Sequence, residues 1–335
     1  MRFGPVAVAE AGGAILAHSI ALGRVRLRKG LTLEAGHLDQ LRGAGFDEVI
    51  VARPDPGDLL ENAAAGRLAA ALVPDPEVAG LAVTQPFTGR VNLLAAGPGV
   101  ACLDVAALEA FNAVHPMITI ATVPPWQQMA AGGMVATIKV ISFAVPGAEV
   151  ARACAAARGA LRLARPVHRS AGLVITRIPG DPDEEKAVRV TAARLAALGM
   201  TLAETRLVPH RRADLAAALD GLAGDMALIL TGSATMDIDD VAPAALRDAG
   251  GRVERFGMPV DPGNLLFLGA LGARPVIGLP GCARSPALNG ADWVLARVAC
   301  GLRVSGADIA AMGVGGLLKE IPSRPQPRAG GRAAD

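Results

Sequence analysis

From Ala171 onward, short apolar runs alternate with helix-length segments, and most of the apolar runs end in turns bearing glycine or proline. This alternation constrains the fold most strongly, because strands separated by helices of this length pack as a mainly parallel, doubly wound α/β sheet. Strands are expected over 172–176, 202–208, 226–230 and 252–258, with helices over 184–198, 212–222 and 241–249. Residues 265–268 and 275–277 read as a hairpin-like pair, and 286–299 as the last large helix. Polar residues gather at the turns: Thr231-Gly232-Ser233, Asp237 to Asp240, Pro262-Gly263-Asn264 and Pro280-Gly281. In an α/β domain such turns meet at the carboxyl ends of the strands, where ligands bind.

The first 170 residues read as a smaller α+β region, divisible into 1–73 and 74–170. Helices are expected over 38–44, 59–72, 104–112 and 148–158, with Asp104 as an N-cap, and one more opening at Pro124-Pro125-Trp126 near Gln127. Strands are expected over 48–51, 81–83, 91–94, 118–120 and 135–145. The sheet domain spans 171–305. A carboxyl-terminal extension occupies 306–335, and its Pro/Gly/Arg/Ala-rich end from Arg324 reads as disordered.

Composition excludes several classes of function. The 335 residues carry 33 basic and 31 acidic side chains, with the bases scattered, and aromatic residues make up only 3%. Neither a phosphate-tracking surface nor a base-stacking platform is indicated, so no nucleic-acid partner is expected. The basic run Arg24, Arg26, Arg28, Lys29 reads as a solvated face. Four dispersed cysteines give no zinc or disulfide framework, and five histidines show no metal-ligand spacing. The start MRFGPVAVAEAGG lacks a basic region followed by an apolar stretch, and no membrane span is evident. A cytoplasmic protein is the expectation.

Residues 171–300 resemble the molybdopterin-binding domain shared by molybdopterin adenylyltransferase and molybdopterin molybdenumtransferase. The resemblance lies in Thr231-Gly232-Ser233 after an apolar strand, the acidic Asp237 to Asp240, Pro262-Gly263-Asn264, and the G-L-P-G turn from Gly278 to Gly281, in that order. A closer likeness is to a bacterial protein type with GMPVDPGNLL, PGCARSP-x-x-NG-x-DWVL and MGVGGLL, all present between Gly257 and Leu318. In that type the domain is followed by one resembling molybdenum cofactor cytidylyltransferase, for which this sequence shows no counterpart. The sequence departs from the family's pattern at Ser233, at Asp237-Ile238, and in the Thr176 to Asp181 loop, which lacks a catalytic Glu. The resemblance therefore carries ligand binding further than catalysis.

The resemblance implies molybdopterin as ligand or substrate, held by Thr231, Gly232, Ser233, Pro262, Gly263, Asn264, Pro280, Gly281, Arg284 and Ser285. A strand-ending T-G-S turn can turn backbone N–H groups toward an anion, or can be only a turn. With a helix taken to begin at Pro286, Arg284 and Ser285 read as phosphate ligands beside its N-terminus. Asp240 and Asp237 are the candidate catalytic carboxylates. Asp240 would hold Mg²⁺ against phosphate oxygens, or serve only as an N-cap. Cys282 reads as a buried small residue or a reactive thiol. Two functions follow: nucleotidyl transfer from ATP or CTP (or molybdate insertion) with Mg²⁺, or a non-catalytic carrier delivering cofactor to a nucleotidyltransferase or molybdoenzyme. Related domains assemble with their own copies, so a homo-oligomer is expected.

Overall fold

The computed structural model describes residues 1–180 and 184–318. The apolar runs after residue 170 form one six-stranded sheet: β1 (Ser170–Arg177), β2 (Thr201–Pro209), β3 (Met226–Leu230), β4 (Arg252–Phe256), β5 (Phe267–Leu271) and β6 (Arg274–Leu279). Their spatial order is β2-β1-β3-β6-β5-β4. β1 is parallel to β2 and β3, and β3 is parallel to β6, whereas β5 is antiparallel to both β6 and β4. Central parallel strands are covered on both faces and so carry unbroken apolar runs, as in the fully buried MALIL of β3.

The crossover helices are α1 (Glu184–Ala196), α2 (Arg212–Leu219) and α3 (Val241–Asp248); α4 (Gly290–Ala299) and a short α5 (Gly306–Ala311) follow the last strand. Alternation along the strands sends Val174, Ala227, Ile229 and Val276 to one face. There they pack with Leu215 and Leu219 of α2 and Ala242, Ala245 and Leu246 of α3. Leu173, Ile175, Leu228, Leu230 and Ile277 are equally buried on the other face. α1 packs on β1, and α4 packs on β6. Ala187, Thr191 and Leu195, the buried residues of α1, recur every four positions, which gives that helix its inward stripe.

The β5–β6 hairpin turns at Gly272 and Ala273, with Leu271 opposite Arg274. Opposite its other end, Phe267 lies across from Gly278. A Cβ at position 278 would lie 1.9 Å from Phe267 Cε1, so this strand position admits only glycine while the aromatic ring fills the space.

The chain divides into two units: Met1–Ala96, Ala101–Pro125 and Ala131–Leu163 in one, and Gly97–Val100, Trp126–Ala130 and the residues from Ala164 in the other. In the first unit, Arg2–Ala7, Glu48–Arg53 and Ile15–Leu16 make a three-stranded sheet. Ile118–Thr122, Met134–Val140, Arg90–Ala95 and Leu81–Val83 make an antiparallel four-stranded sheet. Helix Glu61–Leu72 packs on Met134–Val140, on Arg90–Ala95 and on helix Gly147–Ala156. Asp104 caps helix Val105–Val114, accepting from the Ala107 amide at 3.0 Å.

Two expected helix starts are corrected. Trp126 takes a left-handed φ of 66°, and a strand, Gln128–Met129, stands where a helix is expected from the sequence. The last large helix begins at Gly290 rather than 286; a 3-10 turn, Gly281–Arg284, and an irregular stretch precede it. The expectations for Asp181 and for the end of the chain from Arg324 lie outside the described residues. Among the described residues no helix is long and apolar enough to cross a membrane.

Candidate functional site

The hairpin decides which loops meet. Because β5 runs against β6, its start at Phe267 lies beside Gly278 near the carboxyl end of β6, and Phe256 at the end of β4 lies beside Phe267. The loop between β4 and β5 therefore opens on the same edge as the loops that follow β3 and β6. That brings Pro262-Gly263-Asn264 next to Pro280-Gly281.

A cavity of about 270 Å³ lies between these loops, lined by Asp261 to Leu265 on one side, Pro280 to Cys282 on the other, and Ala234. The Asp261–Pro262 peptide is cis. Its surroundings are tightly bonded: the Gly290 amide donates to the Pro262 carbonyl at 2.8 Å, and the Met258 amide to the Asn264 carbonyl at 3.0 Å. Asp261 also pairs with the MGVGGLL segment, its amide donating to the Gly316 carbonyl at 2.8 Å and its own carbonyl accepting from the Leu318 amide at 2.9 Å. Gly263 has φ 146°, and a Cβ there would stand 3.0 Å from both the Cα and the amide nitrogen of Gly290. The chain must be bare at 263 for this loop to lie against the start of α4.

The wall from Pro280 to Cys282 is held from behind by residues that sequence reading did not single out. Asn289, fully buried, caps α4 through the Ala291 amide at 3.0 Å. Asp292 completes a capping box by accepting from the Asn289 amide at 2.8 Å. Nδ2 of Asn289 donates to Cys282 Sγ at 3.1 Å, and Cys282 is exposed at the cavity. Arg194 of α1 donates to Asp292 at 2.6 Å and to the carbonyls of Ala283 and Ser285, each at 2.7 Å. One guanidinium thus pins the whole stretch between β6 and α4. The N-cap signal of Asn289 with Asp292 three residues later is present in the sequence, but Pro286 offers a competing helix start.

Thr231-Gly232-Ser233 leads into Ala234 of the cavity lining; none of the three, nor Arg284 or Ser285, lines the cavity itself. Thr231 is buried, and its Oγ1 donates to the Ser233 carbonyl at 2.6 Å, so that hydroxyl serves the turn itself. Arg284 Nη2 donates to the Thr231 carbonyl at 3.2 Å. Arg284 Nη1 is buried and has no hydrogen-bond partner. A buried guanidinium N–H without an acceptor is costly, and such groups call for an anion or water. The Ser285 hydroxyl accepts from the Ala287 amide at 3.3 Å, a local turn bond. Ser285 and Arg284 thus stand on the 3-10 turn and its exit rather than at the N-terminus of α4, contrary to the expected placement.

The acidic loop is self-contained. Asp240 caps α3, with Oδ1 accepting from the Val241 amide at 2.6 Å and Oδ2 from the Met236 amide at 2.9 Å. Asp237 Oδ1 accepts from the Asp239 amide at 2.8 Å, and Asp239 pairs with Arg247 at 2.5 Å. Among the described residues no three His, Cys, Asp or Glu side chains converge on a point where a cation could sit. Both oxygens of Asp240 and one of Asp237 accept main-chain amides, and neither residue lines the cavity. A second depression of about 340 Å³ lies beside Val190, Leu198, Pro286 and Leu295; its Arg194 and Asp292 are already committed to each other.

An open α/β sheet with a cavity at its carboxyl edge is the arrangement of the doubly wound class. Residues 171–297 match the family model described as a probable molybdopterin binding domain, and residues 5–53 match a domain of unknown function (DUF8806). No curated protein matches the sequence. Solved structures similar to the chain include the molybdopterin biosynthesis MoeA protein from Pyrococcus horikoshii, at 14% identity over 89% of this chain and 75% of that one, TM-score 0.30. The molybdopterin biosynthesis enzyme MoaB from Thermus thermophilus is 21% identical over 39% of this chain and 89% of that one, TM-score 0.26. A molybdenum cofactor biosynthesis protein from Pyrococcus furiosus is 12% identical over 92% of this chain and 65% of that one, TM-score 0.25.

Proposed function

We propose that the carboxyl edge of this sheet binds molybdopterin and that the protein serves molybdenum cofactor biosynthesis as a binding or carrier protein. The observation that carries the reading is the unpartnered, buried Nη1 of Arg284, tied to the Thr231 turn within the segment that matches the family. Molybdopterin bears a phosphate, for which a guanidinium is a fitting donor, and a pterin whose edge suits Asn264 and the backbone of the Pro-Gly turns. At about 270 Å³ the cavity lies just below the usual range of ligand pockets, which starts at about 300 Å³.

The carrier reading is preferred to Mg²⁺-dependent nucleotidyl transfer from ATP or CTP, or molybdate insertion, because both oxygens of Asp240 already accept main-chain hydrogen bonds. Anaerobic titration with purified molybdopterin tests binding, and mass analysis of ligand co-purifying with the protein identifies the bound form. Incubation with molybdopterin and MgATP or MgCTP separates the roles. Retention of ligand without pyrophosphate release supports a carrier; sustained release that Asp240→Ala abolishes would establish the transferase. Delivery to a nucleotidyltransferase in the cytoplasm, and assembly as a homo-oligomer, belong to the same proposal and are checked by pull-down and sedimentation.

A further inference from the structure

One peptide plane at the carboxyl edge is held from both sides. The unit joining Thr231 to Gly232 offers its carbonyl to Arg284 Nη2 at 3.2 Å and its N–H to Thr176 Oγ1 at 3.0 Å. Because a trans peptide is rigid, with its C=O and N–H pointing opposite ways, fixing either group fixes the other. Thr176 ends the buried part of β1 and is itself fully buried. Its Oγ1 lies 2.8 Å from Nδ1 of His210, the half-buried residue that follows β2. The backbone N–H of His210 donates to the Arg177 carbonyl at 2.9 Å, so the imidazole is anchored beside β1 by main chain as well as side chain.

A threonine hydroxyl has one proton to give and two lone pairs. The Gly232 N–H takes one lone pair. The remaining valence toward His210 is filled by the hydroxyl proton donated to Nδ1, or by an Nδ1–H donated to the oxygen. Either way the imidazole fixes the orientation in which the Thr176 hydroxyl meets Gly232. The ends of β2, β1 and β3 and the turn after β6 thus form one line: His210, Thr176, the 231–232 peptide, Arg284.

Resting on the ligand reading above, we infer that His210 is a positioning residue for the anion-binding guanidinium. Through Thr176 and the 231–232 peptide it sets where Arg284 presents Nη1. It touches neither the cavity nor, by this geometry, the ligand. The line orients the Thr231 turn toward Ala234, which does line the cavity.

The test is a double-mutant cycle read on two scales. Affinity for molybdopterin, measured by anaerobic titration, falls about three- to tenfold in His210→Ala and in Thr176→Val, the size expected for one hydrogen bond. His210→Asn, whose Oδ1 can take the place of Nδ1, restores most of it. In an Arg284→Met background His210→Ala costs no further affinity, while its effect on urea unfolding persists, which a purely structural histidine would not produce. Unchanged affinity in His210→Ala, or losses that multiply with those of Arg284→Met, would overturn the inference. If the wild-type protein fails to bind molybdopterin, the ligand reading falls, and exchange of the Gly232 amide decides the relay. Exchange about tenfold faster in His210→Ala, and slowed again in His210→Asn, upholds it; equal rates refute it.

Discussion

Nδ2 of Asn289 donates to Sγ of Cys282 at 3.1 Å, so the residue that caps α4 also holds one wall of the cavity. Asn289→Ala is expected to cost about 1–2 kcal/mol, losing both the cap and the contact to sulfur. Asn289→Ser keeps a capping oxygen but not the reach to Cys282, and recovers part of that loss. Urea unfolding midpoints at constant slope check the order wild type, Ser, Ala.

Arg194 and Asp292 are only 11% and 14% exposed, and Arg194 also serves three carbonyls, at Ala283, Ser285 and Ala287. Arg194→Ala strands a nearly buried carboxylate together with those carbonyls, and about 3–5 kcal/mol is the expected loss. Arg194→Lys keeps the charge, yet an ammonium cannot span four acceptors in this forked arrangement, so it restores only part. Equal stability of the Lys variant and the wild type would show that the guanidinium fork is not needed.

Arg284→Met separates binding from stability. It removes a buried N–H without an acceptor but also the Nη2 bond to the Thr231 carbonyl, so the two effects on stability oppose and the net change should stay within about 1 kcal/mol, while molybdopterin affinity falls about 10- to 100-fold. Thermal unfolding and anaerobic titration on the same preparation read both quantities. A variant that melts lower and binds as tightly as the wild type would reverse the assignment.

Acid sensitivity has an identifiable contributor. Asp225 accepts from the amides of Arg169 at 2.6 Å and Ser170 at 3.1 Å, and these bonds hold its carboxyl below the ordinary value of 3.8. A depressed folded-state pKa stabilises the protein above the unfolded-state value, and the benefit disappears as pH falls through the folded-state value. The stability gap between wild type and Asp225→Asn should therefore be full at neutral pH and shrink below about pH 4. Chemical denaturation across a range from about pH 2 to 7 tests the sign; a gap that widens in acid contradicts it.

Gly278→Ala should lower stability by about 1–3 kcal/mol or more, since the new methyl would overlap the Phe267 ring. Phe267→Leu added to it should recover part of the loss, and differential scanning calorimetry of the single and double variants checks that coupling.

The sheet is readable from the chain because β1, β3 and β6 are buried on both faces and so appear as unbroken apolar runs between glycine- and proline-marked turns. Pro262-Gly263-Asn264 and Pro280-Gly281 are readable as turns, and the hairpin explains why they share one cavity. The start of α4 is misread because Pro286 suits the first turn of a helix, whereas Arg194, far earlier in the chain, holds that stretch open through its carbonyls. His210 carries no local signal. Its partner Thr176 lies 34 positions away, and only strand pairing places the two side by side. The left-handed turn at Trp126 is equally hidden, since no residue preference points to a positive φ there.

The two-residue turn at Gly272 and Ala273 closes the hairpin at the sheet edge opposite the Pro280 loop, and Ala273 is exposed there. A strand length of chain thus separates this tip from the cavity while connecting to it rigidly. A fluorophore or affinity handle attached at Ala273 would leave ligand access unobstructed, making the turn a natural attachment point for reporting on occupancy at the far edge.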